Sequence, residues 1–190
     1  MTTNILFCRI AWMMPYQGLE SEMPHSGAAY LSEKQKFLHE AYNFLDCRGR
    51  VYGYVNHSGS INLERLGAQR GALRQDGITV VWAAPRLRGD VYVVGWYQNA
   101  TVYREKQIQP NDKRRIDLTD PTKLCGWWVT ADSKDAKLLQ ADARTFNVPL
   151  GKGFLAQSLI TYLDGNVADQ EAFRQQLLGY IASGGQTTSP

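Results

Sequence analysis

Gly77-Ile-Thr-Val-Val-Trp-Ala-Ala-Pro-Arg-Leu-Arg-Gly-Asp-Val-Tyr-Val-Val-Gly-Trp-Tyr-Gln-Asn-Ala-Thr-Val-Tyr-Arg104 sets two β-rich runs around a basic turn and closes on aromatic and amide side chains. Ile78 to Ala83 and Val91 to Val94 are rich in β-branched and aromatic residues and are bounded by Gly and Pro, the composition of strands. Arg86 and Arg88 sit in the turn between them. Beyond Val94 the chain presents Trp96, Tyr97, Asn99 and Tyr103, more planar and hydrogen-bonding surface than a core strand requires. The stretch reads as a ligand-reading sheet onto which something planar stacks, more than as a catalytic centre.

Outward from this pair, Asn4 to Trp12 reads as a buried first strand, because Ile5-Leu-Phe-Cys8 is apolar throughout. Pro15 to Tyr30 is rich in turn residues and long for a connection inside a compact domain, which makes it a lid candidate. His39 to Phe44 suits a short helix or strand. Gly49 to Val55 and Ser60 to Leu66 alternate in side-chain type around Asn56-His-Ser-Gly59, as a hairpin does. With the pair from residue 78 onward, five strands are expected before residue 105.

Past Gln107 the chain is polar to Asp120. A further strand is expected at Cys125 to Thr130 and a short helix at Lys134 to Leu139. Leu155, Leu159, Ile160 and Leu163 fall at helical spacing within Phe154 to Leu163, behind Gly151-Lys-Gly153. Asp169 to Ile181 predicts a second helix, with Phe173, Leu177, Leu178 and Ile181 on one side and Gly184-Gly185 as its stop. The fold class expected is α+β, a curved mixed sheet or small barrel with peripheral helices. Residues 1–165 form the main domain, 166–183 a C-terminal helix and 184–190 a tail.

The 190 residues suffice for one buried core, and 44% apolar content fits a globular chain. A net charge of +3 is too mild to imply nucleic-acid binding on its own, although clustered cations create local patches. Cys8, Cys47 and Cys125 are widely spaced with no CxxC pair, so they read as reduced, buried thiols and not as zinc ligands. No segment approaches a membrane-spanning length. A soluble protein in a cytoplasmic setting is the expectation, with no membrane partner.

Hydrolytic chemistry on nucleic acids needs clustered carboxylates, or histidines with an activating base. His25, His39 and His57 lie in three separate segments, and His39-Glu40 is a pair of polar neighbours. Ser158 lacks a Gly-x-Ser-x-Gly elbow, and Cys8 sits in an apolar strand that makes a thiol inert. No catalytic residue, metal or cofactor is therefore expected. Gly151-Lys152-Gly153 before a helix suits a phosphate contact through backbone N–H groups and the Lys152 ammonium, but it is not a P-loop.

A reader of an unstacked base needs ring faces and a few fixed donors and acceptors. Trp12, Tyr16, Trp96, Tyr97, Asn99 and Tyr103 are the base-pocket candidates, converging if the first strand lies beside the 91–103 strand. Asn99 offers the paired amide donor and acceptor that suits an adenine edge, or else satisfies a turn. Trp82, Trp127 and Trp128 read as core. Arg86, Arg88, Arg114, Arg115 and Lys152 are the phosphate candidates, since paired guanidinium forks match phosphate geometry.

Several segments carry a resemblance: Ile5 to Met13 with Tyr16-Gln-Gly18, His39-Glu-Ala-Tyr-Asn-Phe44, Val51-Tyr-Gly-Tyr-Val55, Ile61 to Ala68, Val93 to Arg104, and Val148-Pro-Leu-Gly-Lys-Gly153 with Gln157-Ser158. Over residues 4 to about 160 the chain resembles a family of bacterial proteins of modification-dependent restriction, and is similar to the broader PUA-like group of EVE, YTH and SRA modules. That resemblance implies a curved β-barrel with peripheral helices that flips a modified DNA base into an aromatic pocket. It also implies a nuclease domain or subunit as partner. The competing classes are an enzyme, either a nuclease or a base-processing hydrolase, and a protein-interaction module.

Overall fold

The computed structural model describes residues 4–18, 39–86, 89–108, 125–151, 154, 158–164 and 168–186. Among the described residues eight strands share one sheet: β1 (Ile5–Arg9), β2 (Arg50–Gly53), β3 (Arg74–Pro85), β4 (Val91–Gln107), β5 (Trp127–Asp132), β6 (Ala136–Leu138), β7 (Asn147–Val148) and β8 (Ile160–Tyr162). Their order is β2-β5-β4-β3-β1-β8, with β6 and β7 pairing along the first half of β4. One α-helix among the described residues, α1 (Ala168–Ala182), packs on the sheet. The class is mixed α+β with an open sheet.

The central strands are buried on both faces, which is why their sequences read as apolar runs. From β1, Leu6 and Cys8 enter one core while Ile5 and Phe7 enter the other. From β3, Val80, Trp82 and Ala84 face the first core, and Val81 and Ala83 the second. The first core is closed by the chain around Trp12, Phe44, Tyr54 and Leu63. The second is closed by α1 through Phe173, Leu177, Tyr180 and Ile181, a spacing of i, i+4, i+7 and i+8 that forms one helical stripe. Gly185, at φ 91°, ends the helix with its N–H on the Tyr180 carbonyl; a side chain there would meet Leu139 at 2.6 Å.

Curvature brings strands that are not neighbours face to face. Gly53 in β2 lies against Trp82 in β3, although β5 and β4 separate them in the sheet. A Cβ at position 53 would stand 2.3 Å from the indole. Glycine inside an alternating strand here marks a close approach across the concave face.

The β3–β4 hairpin forms as its composition predicts, closing with Pro85 opposite Val91. Four other expectations are corrected. Ser60 to Leu66 is no strand: Leu63–Leu66 is a 3-10 turn whose cap, Asn62, accepts from the Arg65 N–H at 3.2 Å. Asn at a turn start competes with strand pairing through that bond. Among the described residues four strands, and not five, therefore start before residue 105. Lys134 to Leu139 is a 3-10 turn followed by β6.

Ile160–Tyr162, placed in a helix by its spacing, is β8, antiparallel to β1 with Tyr162 opposite Leu6. Leu159 to Leu163 fits either period, and the unpaired edge of β1 decides between them. Finally, β1 runs parallel to β3, Ile5 opposite Thr79, so β3 separates it from β4. Residues 19–30 of the lid candidate and 109–120 of the polar excursion lie outside the described residues.

Candidate functional site

Where β1 ends, Ile10 N–H still bonds to the Ala83 carbonyl at 2.9 Å, and the chain then turns across the first core. Tyr16 fixes that turn. Its hydroxyl donates to the Ala11 carbonyl at 2.5 Å and accepts from the Met13 N–H at 3.0 Å, while the backbone takes φ 40°. Burial raises its phenol above the ordinary range, with Arg144 opposing.

Arg144, 1% exposed, is the centre of the arrangement. Its Nε donates to the Leu139 carbonyl at 3.1 Å, Nη1 to Met13 at 2.6 Å and Nη2 to Met14 at 2.7 Å. The guanidinium lies 5.0 Å from the Trp12 ring centroid and 5.4 Å from that of Tyr16. Carbonyl oxygens and π faces thus replace water around a buried cation. Burial lowers the Arg144 pKa, with Arg86 acting in the same direction. Guanidinium groups nevertheless remain charged in proteins.

Arg86, exposed at the β3–β4 turn, lies 5.2 Å over Trp12 and 5.8 Å over Tyr92. Among the described residues it makes no ion pair. Two rings thus hold the plane of a guanidinium whose polar edge meets solvent.

Arg144 also ties together the two walls of a surface cleft of about 380 Å³. Met14, Pro15 and Gln17 form one wall and residues 138–141 the other. β4 and the turn after α1 brace the second wall, through Leu139 N–H to the Val94 carbonyl at 2.9 Å and through the close approach of Gly185 to Leu139.

Beneath the same turn lies Glu40, 1% exposed. It accepts from the Ala11 N–H at 2.7 Å and from the Asn56 N–H. Burial pushes its carboxyl up to about 8, against those two bonds. The Cys8 thiol is raised by burial first and by Glu40 second, which leaves it a poor nucleophile. Among the described residues no three His, Cys, Asp or Glu side chains come together to hold a metal.

The structure brings together Trp12, Tyr16 and Arg86 from the predicted set. Trp96 and Tyr97 point to opposite faces of β4. Trp96 packs beside Tyr180 of α1 at 5.9 Å, and Tyr97 sits in the first core against Phe44 and Trp82, its hydroxyl donating to the Asn43 carbonyl. Asn99 is exposed at φ 50° in a β-bulge, where β4 carries one more residue than β3 between the Tyr97 and Ala100 pairings.

Tyr103 joins a second aromatic group on the outer face, 5.0 Å from Trp127, which is 5.0 Å from Tyr52. It borders a cleft of about 560 Å³ with Arg74, Arg104 and exposed Leu73. Arg88, Arg114, Arg115 and Lys152 lie outside the described residues.

Arg144, Tyr92, Gln17 and Gln140 were not singled out by the sequence reading, and Glu40 was read there as a polar neighbour of His39. Only Glu40 carried a signal, a carboxylate beside the apolar Ala41, Tyr42 and Phe44. The chain matches no family model, no curated protein and no solved structure. No helix among the described residues is long and apolar enough to cross a membrane.

Proposed function

We propose that this chain is a DNA-binding module of the PUA-like kind that recognises a modified base, working as the specificity part of a modification-dependent restriction system. Arg86 carries the reading: an exposed guanidinium, stacked over Trp12 and Tyr92 and unpaired among the described residues, is preorganised to take a phosphate on its free edge. Such a contact positions the nucleic acid, and a neighbouring pocket reads the base. The 380 Å³ cleft falls within the range of small-ligand sites, about 300–1,000 Å³. It receives an extruded base, at an unstacking cost of a few kcal/mol. Trp12 then supports Arg86 and the cleft wall without itself stacking on the base, since it is 7% exposed.

The test is fluorescence anisotropy of the whole chain with matched duplexes, modified and plain, at two salt concentrations. Preference for one modification at both salts supports the reading. Arg86→Ala lowers the slope of log affinity against log salt by about 1, the effect of one phosphate contact. Equal binding of all duplexes leaves only a phosphate-binding surface, and no binding at all refutes the proposal.

A further inference from the structure

We infer that a phosphate oxyanion held on Arg86 tightens the neighbouring cleft, acting through Arg144 on the same indole. This rests on the DNA-binding reading above and adds the regulation of its pocket.

Two cations share Trp12. The Arg86 guanidinium lies 5.2 Å from the ring centroid and that of Arg144 5.0 Å, so the two charges stand at most about 10 Å apart. Arg144 and Trp12 are buried, so salt and water screen the repulsion incompletely. Among the described residues neither guanidinium has a carboxylate within ion-pair distance. The carboxyl beneath the same turn, Glu40, is pushed up to about 8 and is largely neutral at pH 7. Burial lowers the Arg144 pKa most, and Arg86 lowers it further.

The repulsion opposes the arrangement that joins the cleft walls. Arg144 donates to the Met13 and Met14 carbonyls on one side and to that of Leu139 on the other, and its guanidinium sets their register. An oxyanion on the exposed edge of Arg86 offsets the second charge and favours the seated Arg144. By linkage, a ligand that fits the joined walls raises the affinity of Arg86 for the anion by the same factor. Contact with phosphate thus readies the pocket for its base.

Hydrogen exchange of the full chain at pH 7 and low salt tests this, following peptides from residues 10–18 and 136–146 with α1 as the internal reference. Arg86→Gln removes the charge and keeps a planar group over the rings. Relative to α1, it is expected to slow exchange in the wall peptides at least about fivefold, the low end of coupling between linked sites. In 1 M chloride the difference is expected to vanish, because screening then acts within about 3 Å. If Arg86 merely props Trp12, the variant exchanges faster or unchanged, and either result overturns the inference. An excess of unmodified duplex is expected to slow the same peptides in the parent and to add nothing in the variant. A duplex that binds without slowing them overturns the coupling and leaves DNA binding intact. Slowing by Arg86→Gln in a chain that binds no duplex upholds the coupling and removes the DNA reading. Inorganic phosphate, exchanged for chloride at constant ionic strength, separates the sources: slowing by phosphate and not by duplex assigns a free anion to Arg86.

Discussion

Glu40→Gln tests the electrostatics of the buried turn. Glu40 has a carboxyl pushed from 4.5 to about 8 by burial, held by the N–H groups of Ala11 and Asn56. The folded chain binds this proton more tightly than the unfolded chain does. The stabilisation is therefore fully present below about pH 4.5 and is lost as pH rises through about 8. At about 1.4 kcal/mol for each pH unit across that gap, ionising Glu40 costs on the order of 5 kcal/mol. That rivals the whole stability of a small domain, roughly 5–15 kcal/mol. Glutamine keeps the shape and one carbonyl acceptor but does not titrate, so its cost is constant with pH, about 1–3 kcal/mol for the N–H it leaves unmatched. Urea unfolding of both proteins at pH 5, 6, 7 and 8 reads the difference. The parent is expected to lose stability steadily over this window and the variant to lose much less, so that the variant gains on the parent as pH rises and is the more stable at pH 8. Parallel pH profiles would refute the reasoning, because they would mean that Glu40 does not carry the proton.

Arg144→Met keeps an apolar stem against Trp12 and Tyr16 but leaves the carbonyls of Met13, Met14 and Leu139 without their donor; thermal unfolding is expected to show a loss of about 3 kcal/mol or more. Gly53→Ala drives a methyl to 2.3 Å from Trp82 and is expected to cost about 1–3 kcal/mol or more as an overpacked core, read by the denaturation midpoint. Trp128→Phe removes the indole N–H that bonds to the Val55 carbonyl at 3.0 Å, whereas the Trp127 N–H has no partner among the described residues. The first substitution is therefore expected to destabilise by about 1–3 kcal/mol more than Trp127→Phe, and equal losses would contradict that assignment.

The parts of the fold legible in the sequence are those where one local signal acts alone. Residues 78–94 are two β-branched, apolar runs around a Pro and Gly turn, and the stripe from Phe173 to Ile181 has a glycine stop; both form as read. Leu159 to Leu163 satisfied two periods at once, and only the edge of β1, more than 150 residues earlier in sequence than Tyr162, selects the strand. The predicted pocket failed to assemble as one site for a related reason. Consecutive residues of a strand face opposite ways, so Trp96 and Tyr97 cannot line the same cavity, and β-bulges along β4 change which later residues point inward.

Arg144 was the least legible residue of all. Its neighbours Asp142, Ala143 and Thr145 suggest a solvated loop, and an arginine is among the residues least often buried. It is buried because three carbonyls and two rings, from segments some 130 residues apart, replace its hydration together. No single one of those contacts would offset the desolvation of the charge. The same cooperativity makes the cleft: among the described residues the guanidinium supplies the hydrogen bonds that join the two walls, and it holds them in one register. A site built in this way leaves its signature in the pairing of distant backbone groups with one side chain, and not in any motif.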